Sequence, residues 1–582
     1  MSKIIYICAR TGPLGPTAEK RLREIADALV PDNVKTKPDG KVRVSGHTGY
    51  GVSMPNDLVH EDGMSVLLGF LFQEGRFPWA DIRQDRPDGN YALFRTTENE
   101  IEVATDAAGS RTIWYYFDDD QFIAATSQRA IVMFLGEFAF DDRVIPWMLS
   151  TGSLGPTLSW DRRIKRLQAD SSVRLSKNAW TVSVEERPVV FSEVKRDPRE
   201  HGEALAAATR GTIAHLAGLD FTRWLLPLSG GYDSRAILCF IHQELGISSD
   251  LKTVTWGESR SLGTEGNDAT VAQELALSVG AKHKYVGTDF LAEPIKVVVD
   301  RFLSCSEGRI DKIAGYTDGL KIWADFCNDG VTGIIRGDAG FSPKRFTSEP
   351  SGRPMLGCGF CSDFGNLGRI ADRFGLCREQ ELPDVLKKGE SESFDTWRDR
   401  LSQAYRLPTI NAASSDVKYS YVEQINPLLS RAVLNVIRGL PDRLRNDRLV
   451  HKRIVSEIGP KVSFGDGNAT AAEADILRTP LFAEFLKQEI RSDDTARLLG
   501  YELRNCILMG LTTAPRRKLS WRRHVKRIGT VVIPEPLKSV LRDRVSKPDI
   551  DPYVLAFRVV IIARMHKMLA ADAQRLRTSA AG

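Results

Sequence analysis

The stretch "WLLPLSGGYDSRAILCFIHQELG", Trp224 to Gly246, constrains this chain more than any other. An apolar run with a proline leads into Ser-Gly-Gly-Tyr-Asp-Ser, and an amphipathic run follows. Read as a buried strand, a glycine-rich turn and a helix N-terminus, it is a cradle for an anion. Glycines let the backbone approach, free N–H groups point outward, and the helix dipole favours negative charge. No lysine follows the second glycine, so this is not the phosphate loop that ends in Gly-Lys-Ser/Thr.

The surroundings fit a multi-domain chain. At 582 residues it is too long for one core, so two or three domains are expected. Residues 1–195 read as β, with alternating segments such as "GNYALFRTT", "EIEVATDA" and "SSVRLSKNAWTVSVEER". Residues 196–475 alternate helices with short apolar runs. Of these runs, "WLLPL", "DLKTVTW" and "GVTGIIRG" read as buried strands of a parallel sheet. Residues 476–582 read as a helical, basic extension. There is no internal repeat and no low-complexity tract.

Several function classes are disfavoured by composition. A net charge of +5 is small for this length and gives no global nucleic-acid character. No apolar run is long enough to span a bilayer, and "MSKIIYICAR" lacks a signal-peptide layout, so a cytoplasmic location is expected. Eight cysteines are too sparse for a disulfide scaffold. Cys358 and Cys361 in "GCGFC", with Cys377 downstream, lack a nearby histidine to complete a zinc site, and read as reduced thiols on a loop. The run "APRRKLSWRRHVKRIG", Arg516 to Arg527 at its core, is either a solvated face or a docking surface for an acidic peptide or protein.

With these motifs in place, the chain resembles the asparagine synthetase family. The Ser-Gly-Gly-x-Asp-Ser loop is similar to the pyrophosphate loop of enzymes that split ATP to AMP and pyrophosphate. "TVTWG" resembles the family's next strand, "NDATVAQELALSVGAKHKYV" its Asp-x-x-x-Ala and Gly-x-x-His stretch (Asp268, His283), and "SYVEQINPLLSRAV" its Glu-x-x-x-Pro segment (Glu423, Pro427). "RLVHKRIVSEIGP" fits its lysine-arginine-proline spacing. The resemblance implies an α/β architecture in three parts. They are an N-terminal Ntn-hydrolase-like sandwich, a doubly wound parallel-sheet ATP-pyrophosphatase domain (adenine nucleotide alpha hydrolase-like), and the helical extension. It implies ATP and Mg²⁺, with Leu228, Ser229, Gly230, Gly231, Tyr232, Asp233, Ser234, Trp256, Gly257, Asp268 and Gly337 around the nucleotide. Asp233 and Asp338 would hold the metal, Glu423 would be the base or amine-positioning group, and Lys452 and Arg448 the catalytic cations.

The departures from the family are informative. Ser2 stands where the family has its glutaminase cysteine, and a hydroxyl is a poorer nucleophile there. The family's Asn-Gly pair is missing from "LLGFLFQ". A glutaminase fold without glutaminase activity is therefore expected. In "IIRGDAGFSP", Phe341 and Ser342 replace the family's second acidic pair, leaving Asp338 as the nearby acid. In "RLVHKR", Arg448 takes the lysine place and Lys452 the arginine place. The expectation is AMP-forming amide synthesis on a small-molecule or peptide carboxylate through an acyl-adenylate, nearest in logic to β-lactam synthetases and lasso peptide macrolactam cyclases. An ammonia-dependent asparagine synthetase, a sugar-acid amidating enzyme and a catalytically inactive nucleotide-binding scaffold remain as alternatives.

Overall fold

In the first third of the chain apolar and polar residues alternate, and the strands pair accordingly into two six-stranded antiparallel sheets. The computed structural model describes residues 2–73, 77–246, 251–289, 293–342, 345–376, 380–513 and 547–578. The strand Lys3–Ala9 shows how the period of two works. Ile4, Tyr6 and Cys8 enter the core between the two sheets, whereas Ile5 and Ile7 join a core with the helices Pro16–Ala28 and Gln128–Leu135. Tyr6 stacks on Phe94 of the opposite sheet with ring centroids 5.5 Å apart. The last strand of this sandwich ends at Glu186, and the next helix, Pro198–Ala214, is opened by an Asp197–Glu200 capping box.

A five-stranded parallel sheet follows. Its order across the sheet is Lys282–Gly287, Lys252–Gly257, Trp224–Pro227, Gly333–Ile335, Glu423–Ile425. Both faces are covered, which is why its central strands read as unbroken apolar runs. Leu226, Leu228 and Ile335 share a core with the helices Pro198–Ala214, Tyr232–Leu245 and Leu449–Ile458; Leu225, Val254 and Ile334 share the other with Ile295–Ser306 and Lys321–Asn328. The strand order reverses between Trp224–Pro227 and Gly333–Ile335. In such sheets a crevice opens beyond the carboxyl ends of the strands at the reversal. The fold is thus mixed α/β, with antiparallel sheets, one parallel sheet and helices.

The final helix, Pro552–Thr578, packs on Gln128–Leu135 and Val144–Thr151 of the sandwich side. Arg129 and Asp572 pair there at 2.7 Å, both buried, and Arg558 donates to Asp311 (2.7 Å) and to the Leu149 carbonyl (2.8 Å). Such pairs fix position more than they add net stability. Among the described residues no helix is long and apolar enough to cross a membrane. The basic run Arg516–Arg527 and Cys377 lie outside the described residues. Cys358 and Cys361 are fully buried, their thiols against the carbonyls of Arg353 and Pro146 rather than on an open loop.

Candidate functional site

The strand Trp224–Pro227 stops pairing just past its end, where the Leu228 N–H donates to the Val254 carbonyl (2.8 Å). The two serines then fold the turn on itself: Ser229 N–H donates to the Ser234 hydroxyl (3.1 Å), and Gly231 N–H donates to the Ser229 hydroxyl (3.3 Å). The Asp268 carboxylate receives the Gly230 N–H (3.1 Å). The helix Tyr232–Leu245 begins with no side-chain cap at Gly231. Its first-turn N–H groups therefore have no side-chain partner at the cap. The second loop, after Gly333–Ile335, approaches so closely that a Cβ on Gly337 would lie 2.7 Å from the backbone of Asp233 and Ser234. Only glycine permits that contact.

In front of the loops is a cleft of about 1070 Å³. Leu228, Ser229, Gly231, Tyr232, Asp233 and Ser234 line it from the first loop, Trp256 from the next strand, and Gly337 and Asp338 from the second loop. Asp268, Arg448 and Lys452 line it as well. Most of the residues singled out by sequence thus come together at the switch point. Two do not. Gly257 is turned against the backbone of Ala469, whose carbonyl accepts from Glu258 N–H (2.9 Å); its missing side chain makes room for protein, not for a ligand. Glu423 lies at the opposite end of the sheet, because it starts its strand level with Gly333 and Trp224.

The acids of the cleft are unequally engaged. Asp233 Oδ2 accepts from Arg448 (2.5 Å), while Oδ1 lies 3.1 Å from His451 Nε2 without a well-directed hydrogen bond. Burial works to raise its pKa, but His451 and Arg448 outweigh it and hold the carboxyl below its ordinary range. Asp338 accepts from Arg336 (2.9 Å) and Asn426 (3.0 Å). Burial raises the pKa of Asp268. Asp447 and Arg448 both have positive φ, 52° and 56°. Such conformations cost about 1–3 kcal/mol each for ordinary residues, and here they turn Arg448 toward Asp233. Lys452 Nζ lies 5.3 Å from the Tyr232 ring centre.

The far wall holds groups that sequence reasoning missed. Lys418 is buried, its Nζ donating to the Ser414 carbonyl (2.9 Å) and lying 5.7 Å from the Trp323 ring centre. Burial drives its pKa far down, and Arg336 adds to the effect. Glu473 accepts from the N–H groups of Ile313 (2.5 Å) and Ala314 (2.9 Å). Burial, helped by Asp311, pushes its carboxyl up to about 8. Neither carries a motif. The only sequence signal for Lys418 is a lysine within an otherwise core-facing turn, "DVKYSYV".

Glu423 belongs to a second, closed cluster between the sandwich and the parallel sheet. Its Oε1 accepts from the Ser2 N–H (3.0 Å), the Ser2 hydroxyl (2.8 Å) and Asn56 (2.7 Å), and its Oε2 pairs with Arg111. Arg111 also donates to the Ser2 carbonyl (3.1 Å) and stacks over Tyr419 at 4.0 Å. Burial alone would raise the Glu423 pKa; Arg111, the Ser2 N–H and Asn56 reverse this and hold it well below the usual carboxylate range. Ser2 is 1% exposed and its hydroxyl is spoken for by Glu423. This corrects the expectation that Glu423 serves as a base in the cleft.

No protein-family model and no curated protein matches the chain. Among solved structures, similarity extends to the allosteric regulatory enzyme of purine biosynthesis, at 12% identity and a TM-score of 0.22, over 50% of this chain and 82% of that one. It also extends to glutamine phosphoribosylpyrophosphate amidotransferase from B. subtilis complexed with ADP and GMP, at 10% identity and a TM-score of 0.21, over 50% of this chain and 83% of that one.

Proposed function

We propose that this chain joins a carboxylate to an amine in an ATP-dependent, AMP-forming reaction. The observation that carries the reading is the uncapped helix N-terminus behind the Ser229–Ser234 loop, placed at the strand-order reversal and opening on the large cleft. Such an arrangement binds phosphate groups through N–H donors and the helix dipole. Trp256 on the cleft wall offers a face for an adenine base.

In the first step a carboxylate oxygen attacks the α-phosphorus of ATP; the bond to the β-phosphate oxygen breaks, leaving an acyl-adenylate and pyrophosphate. The loop N–H groups, Arg448 and Lys452 stabilise the charge that builds on the phosphates. Mg²⁺ suits this donor set, since the Asp233 Oδ1 lacks a hydrogen-bond partner and Mg²⁺ is commonly held by one or two carboxylates together with phosphates. Asp233 and Asp338 would hold it, and when bound it neutralises phosphate charge. In the second step the amine attacks the acyl carbon and AMP leaves. Glu473 takes the amine's proton, the role that Glu423 is too remote to fill.

Product analysis tests the reading: ATP incubated with the protein, Mg²⁺, candidate acids and hydroxylamine yields AMP, pyrophosphate and a hydroxamate. ADP as the nucleotide product would refute it. Bound but uncleaved ATP would favour a scaffold, a reading that the arginine partners already on Asp233 and Asp338 support.

A further inference from the structure

Glu473 opens the short helix Glu473–Leu477 on the wall of the main cleft. Its carboxylate accepts from the Ile313 and Ala314 N–H groups, so its place depends on where the segment 308–314 lies. That segment is fastened to the final helix, Pro552–Thr578, at two points. Gly308 has a φ of 59°, and a Cβ on it would lie 2.3 Å from Met565 Cγ, so the backbone rests directly on the helix. Three residues on, the Asp311 carboxylate accepts from Arg558 Nε at 2.7 Å.

The Asp311 carboxylate occupies a fitted space. Gly152 closes the helix Val144–Thr151, and a Cβ there would lie 2.3 Å from Asp311 Cγ. Arg558 also donates to the Leu149 carbonyl of that helix at 2.8 Å. The side chains of Arg558 and Asp311 are 11% and 10% exposed, and neither lines the cleft. One arginine thus ties a helix of the sandwich side, the final helix and the turn that carries the N–H donors of Glu473.

Asp311 also acts on Glu473 through its charge. Burial does most to push the Glu473 carboxyl up to about 8, and Asp311 is the next cause. A carboxylate in that range can take a proton from an amine near neutral pH. Lys312, exposed on the same turn, works the other way, and Tyr316 is the next ionisable side chain along. On the helix of Glu473 itself Asp475 stands in the first turn, and Arg478 just beyond it is paired with Asp551. Arg558 lies behind Asp311 and offsets its charge.

We propose that Arg558 and Asp311 are positioning residues for amide formation: the final helix holds the turn 311–314, and the turn holds the Glu473 carboxylate at the cleft wall. The inference rests on the reading of Glu473 as the base of the second step. It makes the last helix of the chain a support of the site.

The two members of the pair have opposite electrostatic effects, which a purely structural contact would lack. Asp311→Asn removes a negative charge beside Glu473 and should lower its titration midpoint by about one pH unit. Arg558→Gln leaves Asp311 without its counter-charge and should raise that midpoint. It should also reduce amide formation relative to ATP–pyrophosphate exchange by about tenfold or more, through lost positioning. Arg558→Lys should restore most of the midpoint and part of the rate. Carboxyl-carbon NMR of the full chain, with Glu473→Gln identifying the resonance, follows the midpoint without requiring catalysis. The pH profile of amide formation should move in parallel. Midpoints that shift the same way in Asp311→Asn and Arg558→Gln, or that move in neither, overturn the inference and leave the base reading standing. Opposite NMR shifts beside a pH profile that Glu473→Gln leaves unchanged remove Glu473 from the reaction, and the inference with it.

Discussion

The acid clusters around Asp233 and Glu423 use similar parts to opposite ends. Each sets a carboxylate against an arginine contributed by a distant segment. Around Glu423 every direction is filled: Ser2, Asn56 and Arg111 converge on a fully buried carboxylate, and the cluster joins the sandwich to the parallel sheet. Around Asp233 one oxygen is left without a hydrogen bond at the edge of a large cleft. A carboxylate with all its lone pairs engaged fixes two elements together. One with a lone pair to spare, beside open helix N–H groups, is a place for a ligand.

The largest expected effect comes from Glu423→Ala, which leaves Arg111 buried without its counter-charge. Urea denaturation should show a loss of about 3–5 kcal/mol, as when one partner of a buried pair is removed. Asp233→Asn should cost less, because a fifth of each side chain of the pair stays in water and the amide oxygen can still accept from Arg448. Equal losses would erase the distinction between the two clusters.

Next in size is the kinetic effect of Glu473→Gln. Amide formation should fall about 10²-fold or more while ATP–pyrophosphate exchange persists, since a general base acts only in the second step. The wild-type rate of amide formation should rise with pH up to about 8, where Glu473 loses its proton. A profile flat through that range would remove Glu473 from the role.

The two glutamates also predict opposite pH dependences of stability. Glu423 has a depressed pKa, so its contribution is present above its ordinary value near 4.5 and is lost as pH falls below it. Glu473 has a raised pKa; its contribution is present below about 4.5 and declines as pH rises toward 8. Thermal melts across pH should show Glu423→Gln flattening the acid limb and Glu473→Gln flattening the decline above neutrality's acid side. Smallest of all, Ser2→Ala should cost about 1 kcal/mol, one hydrogen bond to a buried partner, and leave the reaction unchanged. A glutamine-dependent activity lost in Ser2→Ala would reopen the closed cluster as a catalytic site.

Much of the framework was legible because burial writes itself into sequence. The apolar runs at Trp224, Lys252 and Gly333 became the three central strands, and the loop Ser229–Ser234 met the helix N-terminus that its glycines and serines suggested. The outer strands escaped notice. Lys282–Gly287 is half polar, as an edge permits, and Glu423–Ile425 is only three residues long. Glu423 illustrates the deeper limit. Its motif placed it near the cleft, but its partner is 421 residues away at Ser2, and local spacing cannot reveal which end of a strand faces which loop. Lys418 and Glu473 depend in the same way on long-range burial.

The central claim is tested most directly by ATP–pyrophosphate exchange with the purified chain, Mg²⁺ and a panel of mono- and dicarboxylic acids, run beside Asp233→Ala. The account predicts acid-dependent exchange in the wild type and a loss of about 10²-fold or more in the variant. Undiminished exchange in Asp233→Ala, or none with any acid while ATP still binds, would contradict it.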